Sequence, residues 1–360
     1  MDRVLMAMSG GVDSSVAAAL LKKDGYDVIG ATMEVFPDYE QRSEEEGGCC
    51  SLSSIEDAKR VAARLDIPHY TLNFKEVFQR EVIDNFVEEY SKGRTPNPCI
   101  VCNKKIKFNA LLDKALQLDC DYVATGHYAI KEKKDNRFIL RRPEDLEKDQ
   151  TYMLYGFKQE QLAKTLFPLG NYKKDEVRKI AKEIGLRIFN KPDSQEICFV
   201  PDDDYQRFLD SNYPDLSMSG PIYYYDGEKI GEHEGLHKYT IGQRRGLGIS
   251  MNHPVYVIDI DSENNALIVG PRDHLKSHGL IINKPNWLSI PEIDSELNDI
   301  LIQVRYNSKP APGKVIPIGD GNKVKALFAE PFQAVTPGQS AVFYDGDIVL
   351  GGGVIDESIN

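Results

Sequence analysis

The stretch Val4-Leu5-Met6-Ala7-Met8-Ser9-Gly10-Gly11-Val12-Asp13-Ser14-Ser15-Val16-Ala17-Ala18-Ala19-Leu20-Leu21 decides the fold. Its opening apolar run, Val4 to Met8, reads as a strand buried on both faces. Val16 to Leu21 reads as a helix. A Gly-Gly turn therefore joins a strand end to a helix start. That geometry aims backbone N–H groups and the positive end of a helix dipole at an anion. Glycine lets the backbone come close, and the serine hydroxyls add donors. No Gly-Lys-Ser/Thr ending follows, so this is not a Walker A loop. It suits a pyrophosphate better than it suits placing a lysine on a terminal phosphoryl group. A tight turn before a capped helix would use the same residue types. The full string between strand and helix points to nucleotide binding.

Outward from this loop the first half alternates strand and helix. Strands are expected over 28–35, ending at Met33, over 68–74 and over 122–125, running into Gly126-His127. Helices are expected over 55–65, 77–90, 104–118 and 172–184. This order predicts an α/β fold with a doubly wound parallel sheet. Ligands in such sheets lie outside the carboxyl ends of the strands. Gly11, Met33 and Gly126 fall at those ends, so one pocket can gather them. Polar stretches at Pro37–Gly48 and Ser91–Cys99 read as loops over its mouth. Around residue 205 the texture changes to short β-like runs divided by Gly, Asn, Asp and Pro. These predict two small β-barrel-like domains parted near residue 277. The expected division is 1–204, 205–276 and 277–360.

A chain of 360 residues is long for a single core. Its hydrophobic content of 41% and charged content of 28% are those of a globular protein. No apolar run is long enough to cross a bilayer. The chain opens directly on a strand, so no secretory signal and no membrane partner is expected. The cysteines are Cys49, Cys50, Cys99, Cys102, Cys120 and Cys198. They are too few and too uneven for a secreted disulfide scaffold, so a cytoplasmic location is expected. The net charge of −12 argues against nucleic acid at first sight. A local basic face can still bind phosphate. Arg244-Arg245, Lys104-Lys105 and Lys107 are candidate patches, or solvated surface charge.

Two cysteine strings carry further chemistry. In Thr95-Pro96-Asn97-Pro98-Cys99-Ile100-Val101-Cys102-Asn103, two prolines stiffen a loop leading into the expected 104–118 helix. Cys102 would lie close to that helix's N-terminus, where the dipole favours a thiolate. In Lys191-Pro192-Asp193-Ser194-Gln195-Glu196-Ile197-Cys198-Phe199, a distant thiol can reach the same sheet edge. Two thiols facing each other across a nucleotide pocket suggest sulfur transfer: one carries a persulfide, the other attacks it. Cys49, Cys50 and Cys120 read as packing thiols. Other readings are a zinc half-site, which lacks a second ligand pair, an iron–sulfur cluster held by Cys99, Cys102 and Cys198, and merely buried thiols.

The glycine string resembles the PP-loop of the ATP pyrophosphatases, which cut ATP between the α and β phosphates. In that resemblance Asp13 helps hold Mg²⁺. Taken together, the three strings resemble the tRNA-specific 2-thiouridylases, the MnmA family. The likeness extends to Ala124-Thr125-Gly126-His127-Tyr128, Lys148-Asp149-Gln150-Thr151-Tyr152, Tyr239-Thr240-Ile241-Gly242-Gln243-Arg244-Arg245-Gly246-Leu247-Gly248, Val304-Arg305-Tyr306 and Thr336-Pro337-Gly338-Gln339.

The resemblance implies an enzyme that adenylates the C2 oxygen of a wobble uridine and displaces AMP with sulfur. The products would be 2-thiouridine, AMP and pyrophosphate, in tRNAs for Lys, Glu and Gln. It implies catalysis by Cys102 and Cys198, with a persulfide arriving from a cysteine desulfurase or sulfur-relay protein. A disulfide between the two thiols can close in the cycle. ATP would be held by Ala7, Met8, Ser9, Gly10, Gly11, Val12, Asp13, Ser14, Met33 and Gly126. Asn97, Pro98 and Cys99 would surround the target base, flipped out of the anticodon loop. His127, Lys148, Asp149, Gln150, Arg305, Tyr306 and Gln339 would touch tRNA. Some relatives carry an aspartate in place of Cys99, proposed for proton transfer. A thiol does not copy that role near neutral pH, so the general base stays unassigned and a [4Fe-4S] route gains a third thiol. Alternatives are a PP-loop ligase acting on a small molecule and a non-catalytic RNA-binding or sulfur-carrier protein.

Overall fold

The computed structural model describes residues 1–36, 52–190, 197–200, 204–319 and 321–360. Cys49, Cys50, the expected loop 37–48 and the Lys191–Glu196 part of the second cysteine string lie outside the described residues.

The N-terminal body contains strands β1 (Arg3–Ala7), β2 (Asp27–Glu34), β3 (His69–Asn73) and β4 (Tyr122–Ala124). A hairpin of β5 (Ile130–Lys134) and β6 (Arg137–Arg141) follows, then β7 (Thr165–Leu166). Five of these form one parallel sheet in the order β3-β2-β1-β4-β7. The two-residue period of β1 sends Leu5 to one face and Val4 and Met6 to the other. On the second face the Val12–Lys23 and Lys174–Glu183 helices supply Val16, Ala17, Leu20, Val177 and Ala181. On the first face Phe78, Phe86, Ile106 and Leu111 close the core, carried by helices between residues 75 and 117. Helices thus cover both faces, which is the doubly wound arrangement expected.

The middle of the chain forms a four-stranded sheet in the order β10-β11-β8-β9. Its strands are β8 (Gly220–Tyr224), β9 (Lys229–His233), β10 (Tyr256–Asp261) and β11 (Ala266–Gly270). Ile222, Val257, Leu267 and Val269 fill its core.

The C-terminal part contains β12 (Lys276–Asn283), β13 (Asn286–Trp287), β14 (Leu297–Gln303), β15 (Ala311–Ile318), β16 (Lys323–Gln333), β17 (Ser340–Asp345) and β18 (Ile348–Ile359). Pairing runs β12-β16-β15-β14-β17-β18 and returns to β12, so six strands close into a barrel. Closure removes exposed strand edges. Leu280, Ile282, Ile302, Val315, Val324 and Phe343 fill the interior.

The β5–β6 hairpin reaches the barrel, where Arg141 pairs with Ile348 of β18. A separate core lies between the two bodies: Ile100, Phe108, Tyr152 and Leu154 pack with Leu288, Val342, Tyr344 and Val349. The Tyr152 hydroxyl donates to the Ser340 carbonyl at 2.8 Å, and Tyr155 meets the Ser340 hydroxyl at 3.0 Å.

Candidate nucleotide and thiol site

The glycine turn stands where the sequence places it, between the end of β1 and the Val12–Lys23 helix. Gly11 is the N-cap residue, with φ −90° and ψ 166°, and no side chain caps the helix. The amides of the first turn are therefore presented to an incoming anion. The Ser9 amide donates to Ser14 Oγ at 3.1 Å, and the Ser14 hydroxyl donates to the Gly11 carbonyl at 3.2 Å. These bonds hold the turn in shape. Gly10 has φ +69°, and a Cβ there would lie 2.2 Å from the Ser54 carbonyl oxygen. A Cβ on Gly126 would lie 2.7 Å from the Ser14 nitrogen. Both positions need glycine because backbone meets backbone. Ala7 closes β1, and the Met8 amide donates to Ala31 of β2 at 2.8 Å. Met33 lies near the carboxyl end of β2, packed into the first-face core. The nominated nucleotide residues thus gather at one sheet edge.

The loop also holds a cation the sequence reading missed. Lys174 Nζ lies 2.8 Å from Asp13 Oδ1 and 2.8 Å from Asp13 Oδ2. The Tyr128 hydroxyl donates to Asp13 Oδ1 at 2.8 Å. The Lys174 side chain is 9% exposed. Its backbone amide donates to Asp145 Oδ2 at 2.8 Å. Nothing in the neighbouring sequence points to Asp13, 161 positions away, as the partner of Lys174.

The thiols stand differently from expectation in one respect. The helix carrying Cys102 begins at Pro98, with Asn97 as its N-cap: Asn97 Oδ1 accepts from the Ile100 amide at 3.3 Å. Proline fits the first helical position, since its missing N–H would go unpaired there anyway. Cys99 therefore occupies the first turn. Cys102 ends this α-helical piece rather than sitting ahead of a helix, and π-helical turns continue to Ala110. Cys99 is exposed, while Cys102 and Cys198 are half-buried. Cys102 and Cys198 pack against the same core, on the same face of the sheet as Met33. Phe199 anchors the second thiol's turn. It is buried edge-on against Phe78, Phe86 and Phe208, with ring centroids at 5.8, 5.3 and 5.5 Å. Cys120 is buried, and burial, above all, pushes its thiol pKa up.

The residues nominated for tRNA divide into several groups. His127 accepts or donates at Nδ1 with the Thr125 hydroxyl at 2.8 Å, and its ring leans on Phe108 and Phe167. Burial, with nearby Lys107, holds its pKa well below the ordinary value, so it is neutral at pH 7. Asp149 Oδ1 caps the Thr151 amide at 2.8 Å, and its other oxygen lies 3.4 Å from Arg142. Burial raises its pKa. Gln150 Oε1 accepts from the Tyr128 amide at 3.0 Å. Lys148 ends the adjoining 3₁₀ turn. Arg305 Nη2 donates to the carbonyls of Gln333 and Ala334 at 2.9 and 2.7 Å. Tyr306 is 36% exposed. Gln339 donates to the carbonyls of Thr95 and Pro96. Of the candidate basic patches, Lys105 is paired with Glu81 at 3.2 Å.

Among the described residues, no three His, Cys, Asp or Glu side chains come together as a metal site. Cys99, Cys102 and Cys198 thus do not form a ready ligand set for a cluster. No helix among the described residues is long and apolar enough to cross a membrane.

A parallel sheet with a glycine turn at its carboxyl edge is the arrangement of the HUP-type, PP-loop domains, the class to which the N-terminal body belongs. The family description "tRNA methyl transferase HUP domain" matches residues 2–202. A "tRNA methyl transferase PRC-barrel domain" matches 206–271, and an "Aminomethyltransferase beta-barrel domain" matches 277–355. The tRNA-specific 2-thiouridylase MnmA of Halothermothrix orenii is 60% identical, covering 99% of this chain and 100% of that protein. The protein of the same name from Clostridium botulinum (strain Alaska E43 / Type E3) is 50% identical, covering 99% and 98%. A solved 4-thiouridine synthetase–RNA complex with bound ATP is 19% identical, with a TM-score of 0.38 over 59% of this chain and 51% of that one. The chain belongs to the tRNA-specific 2-thiouridylase family.

Proposed function

We propose that this protein is an ATP-dependent tRNA-uridine 2-sulfurtransferase acting through a persulfide on Cys198. The observation that carries the reading is that Cys102 and Cys198 both pack against the core to which Met33 belongs. A small-molecule ligase on this fold would leave that pair without a task.

The chemistry needs two steps. The C2 oxygen of uracil is a poor leaving group. Its attack on the α-phosphorus of ATP forms a C–O–P linkage and expels pyrophosphate. The uncapped turn at Gly11 and the Lys174 ammonium support that step by offering positive charge to the phosphates. Mg²⁺, when bound, would neutralise phosphate charge. Asp13 would hold it only on giving up a bond to the Lys174 ammonium, which here takes both of its oxygens.

Sulfur then enters. Cys102 thiolate attacks the sulfur of Cys198 that carries the persulfide. An S–S bond forms between the two cysteines, and the terminal sulfur leaves as hydrosulfide with the electron pair. Hydrosulfide adds at C2, and AMP departs with the former C2 oxygen. The disulfide is reset by an external dithiol, which supplies two electrons. The sulfur arrives from a persulfide donor protein. No step here passes through an iron–sulfur cluster.

The test is single-turnover thiolation from a persulfide donor, with AMP and thiolated nucleoside both quantified. Cys198→Ser is expected to bind ATP and tRNA yet form no 2-thiouridine. Cys102→Ser is expected to accumulate persulfide on Cys198. Wild-type yields of thiolated product in either variant would end the reading.

A further inference from the structure

The Arg94–Asn97 segment is held by all three bodies. Gln339 Nε2 donates to the Thr95 carbonyl at 3.0 Å and to the Pro96 carbonyl at 3.3 Å. The Thr95 amide donates to the Pro337 carbonyl at 3.0 Å. Arg94 donates to the Ile355 carbonyl at 3.0 Å and pairs with Asp356 at 3.2 Å and Glu89 at 2.8 Å. From the middle body, the Thr240 hydroxyl accepts from Thr95 Oγ1 at 3.3 Å. Gly338 has φ +91°, and a Cβ there would lie 2.8 Å from the Thr95 nitrogen. The barrel turn therefore lies flat on this segment.

We propose that Gln339 is a positioning residue: it fixes, from the barrel, the direction in which Asn97, Pro98 and Cys99 enter the helix that ends at Cys102. The physical link is stiffness. Proline locks φ at positions 96 and 98, and each residue before a proline is confined to extended conformations. Asn97 then caps the helix through its side chain. With so few soft dihedrals between them, setting the carbonyls of Thr95 and Pro96 sets the helix start. The carboxamide suits this task because its nitrogen, which carries two N–H donors, reaches two successive carbonyls. Its catalytic consequence rests on the sulfurtransferase reading above; its geometric part does not.

The experiment uses full-length Gln339→Glu and the milder Gln339→Met. Glutamate sets an acceptor against two acceptors, and methionine keeps the length without donors. Amide hydrogen exchange is followed in peptides across 91–103, with barrel peptides as the folding control. Turnover at saturating tRNA and the tRNA Kd are measured in parallel. Expected are faster exchange at 94–102 and thiolation turnover lowered about ten- to a hundredfold. The tRNA Kd is expected to change less than about twofold. Unchanged exchange at 94–102 in both variants would overturn the proposal. So would a weakened tRNA Kd with undiminished turnover at saturation, which marks a direct RNA contact. Should the wild-type protein form no thiolated tRNA, the sulfurtransferase reading falls, while the exchange comparison still decides the positioning role.

Discussion

The Lys174 ammonium sits 2.8 Å from each carboxylate oxygen of Asp13, joining the first turns of two helices distant in the chain. The Lys174 ammonium and the Tyr128 hydroxyl thus converge on one carboxylate in the first turn of the Val12–Lys23 helix. Asp13 and, at the Lys174 amide, Asp145 set negative charge against that lysine. An arriving triphosphate finds a cation within reach, although the glycine loop carries no lysine of its own.

Replacing that cation tests its role. Lys174→Met is expected to raise the ATP KM of AMP formation about tenfold or more, as for one lost charge-assisted hydrogen bond. Lys174→Arg is expected to recover part of it. Circular dichroism on both variants monitors folding. An ATP KM unchanged in the methionine variant would remove Lys174 from the phosphate site.

Gly10→Ala addresses the turn itself. A methyl group there meets the Ser54 carbonyl at 2.2 Å on a backbone with φ +69°. The clash is with backbone, so the turn must move. The expected outcome is loss of measurable ATP binding by calorimetry and a melting temperature lowered by several degrees, from a cost of about 1–3 kcal/mol. Retained ATP affinity would show that the turn is not the phosphate cradle.

Phe199→Ala separates anchoring from chemistry. The ring is buried among three aromatic neighbours, so its removal is expected to cost about 3–5 kcal/mol of stability. Sulfur transfer through Cys198 should fall while ATP and tRNA binding persist. A chemical denaturation curve and a transfer assay at reduced temperature read the two effects apart.

His127 supplies a pH prediction. Burial depresses its folded pKa, so the folded state prefers the neutral ring. Above its unfolded value near 6.5 that preference costs nothing. As pH falls below about 6.5, the unfolded chain takes up a proton that the folded one refuses, and stability drops. His127→Gln is expected to flatten the stability profile between about pH 6.5 and 5. Because the ring is uncharged at pH 7, the same variant should leave the salt dependence of tRNA binding unchanged. A reduced salt slope would mean that the imidazole meets a phosphate as a cation.

The strand–turn–helix at residues 3–23 was legible because its pattern is local: an apolar run, two glycines and a helical period occupy neighbouring positions. Lys174 was not, since its partner lies far off in the chain and paired lysines read as solvated charge. Cys102 was misplaced by one helical turn. The Pro-Asn-Pro string read as a loop, whereas Asn97 caps and Pro98 starts the helix. The β5–β6 hairpin escaped notice because Lys131, Glu132, Lys133 and Lys134 lack an apolar alternation, and its pairing with β18 is long-range. Asp149, Gln150 and Arg305 carry internal hydrogen bonds that residue type alone does not disclose.

The core shared by Phe108, Tyr152, Val342 and Val349 has a consequence for biosynthesis. Leu288, Val342, Tyr344 and Val349 of that interior are translated long after the residues of the N-terminal body they cover. While the ribosome is still translating the barrel, Tyr152 and Tyr155 lack the Ser340 groups that later receive their hydroxyls. The nascent N-terminal body therefore carries an oily, unfinished flank until the closing strands emerge. A product released early, by a premature stop codon or a nick before β17, would be a substrate for chaperones and proteases rather than a smaller working enzyme.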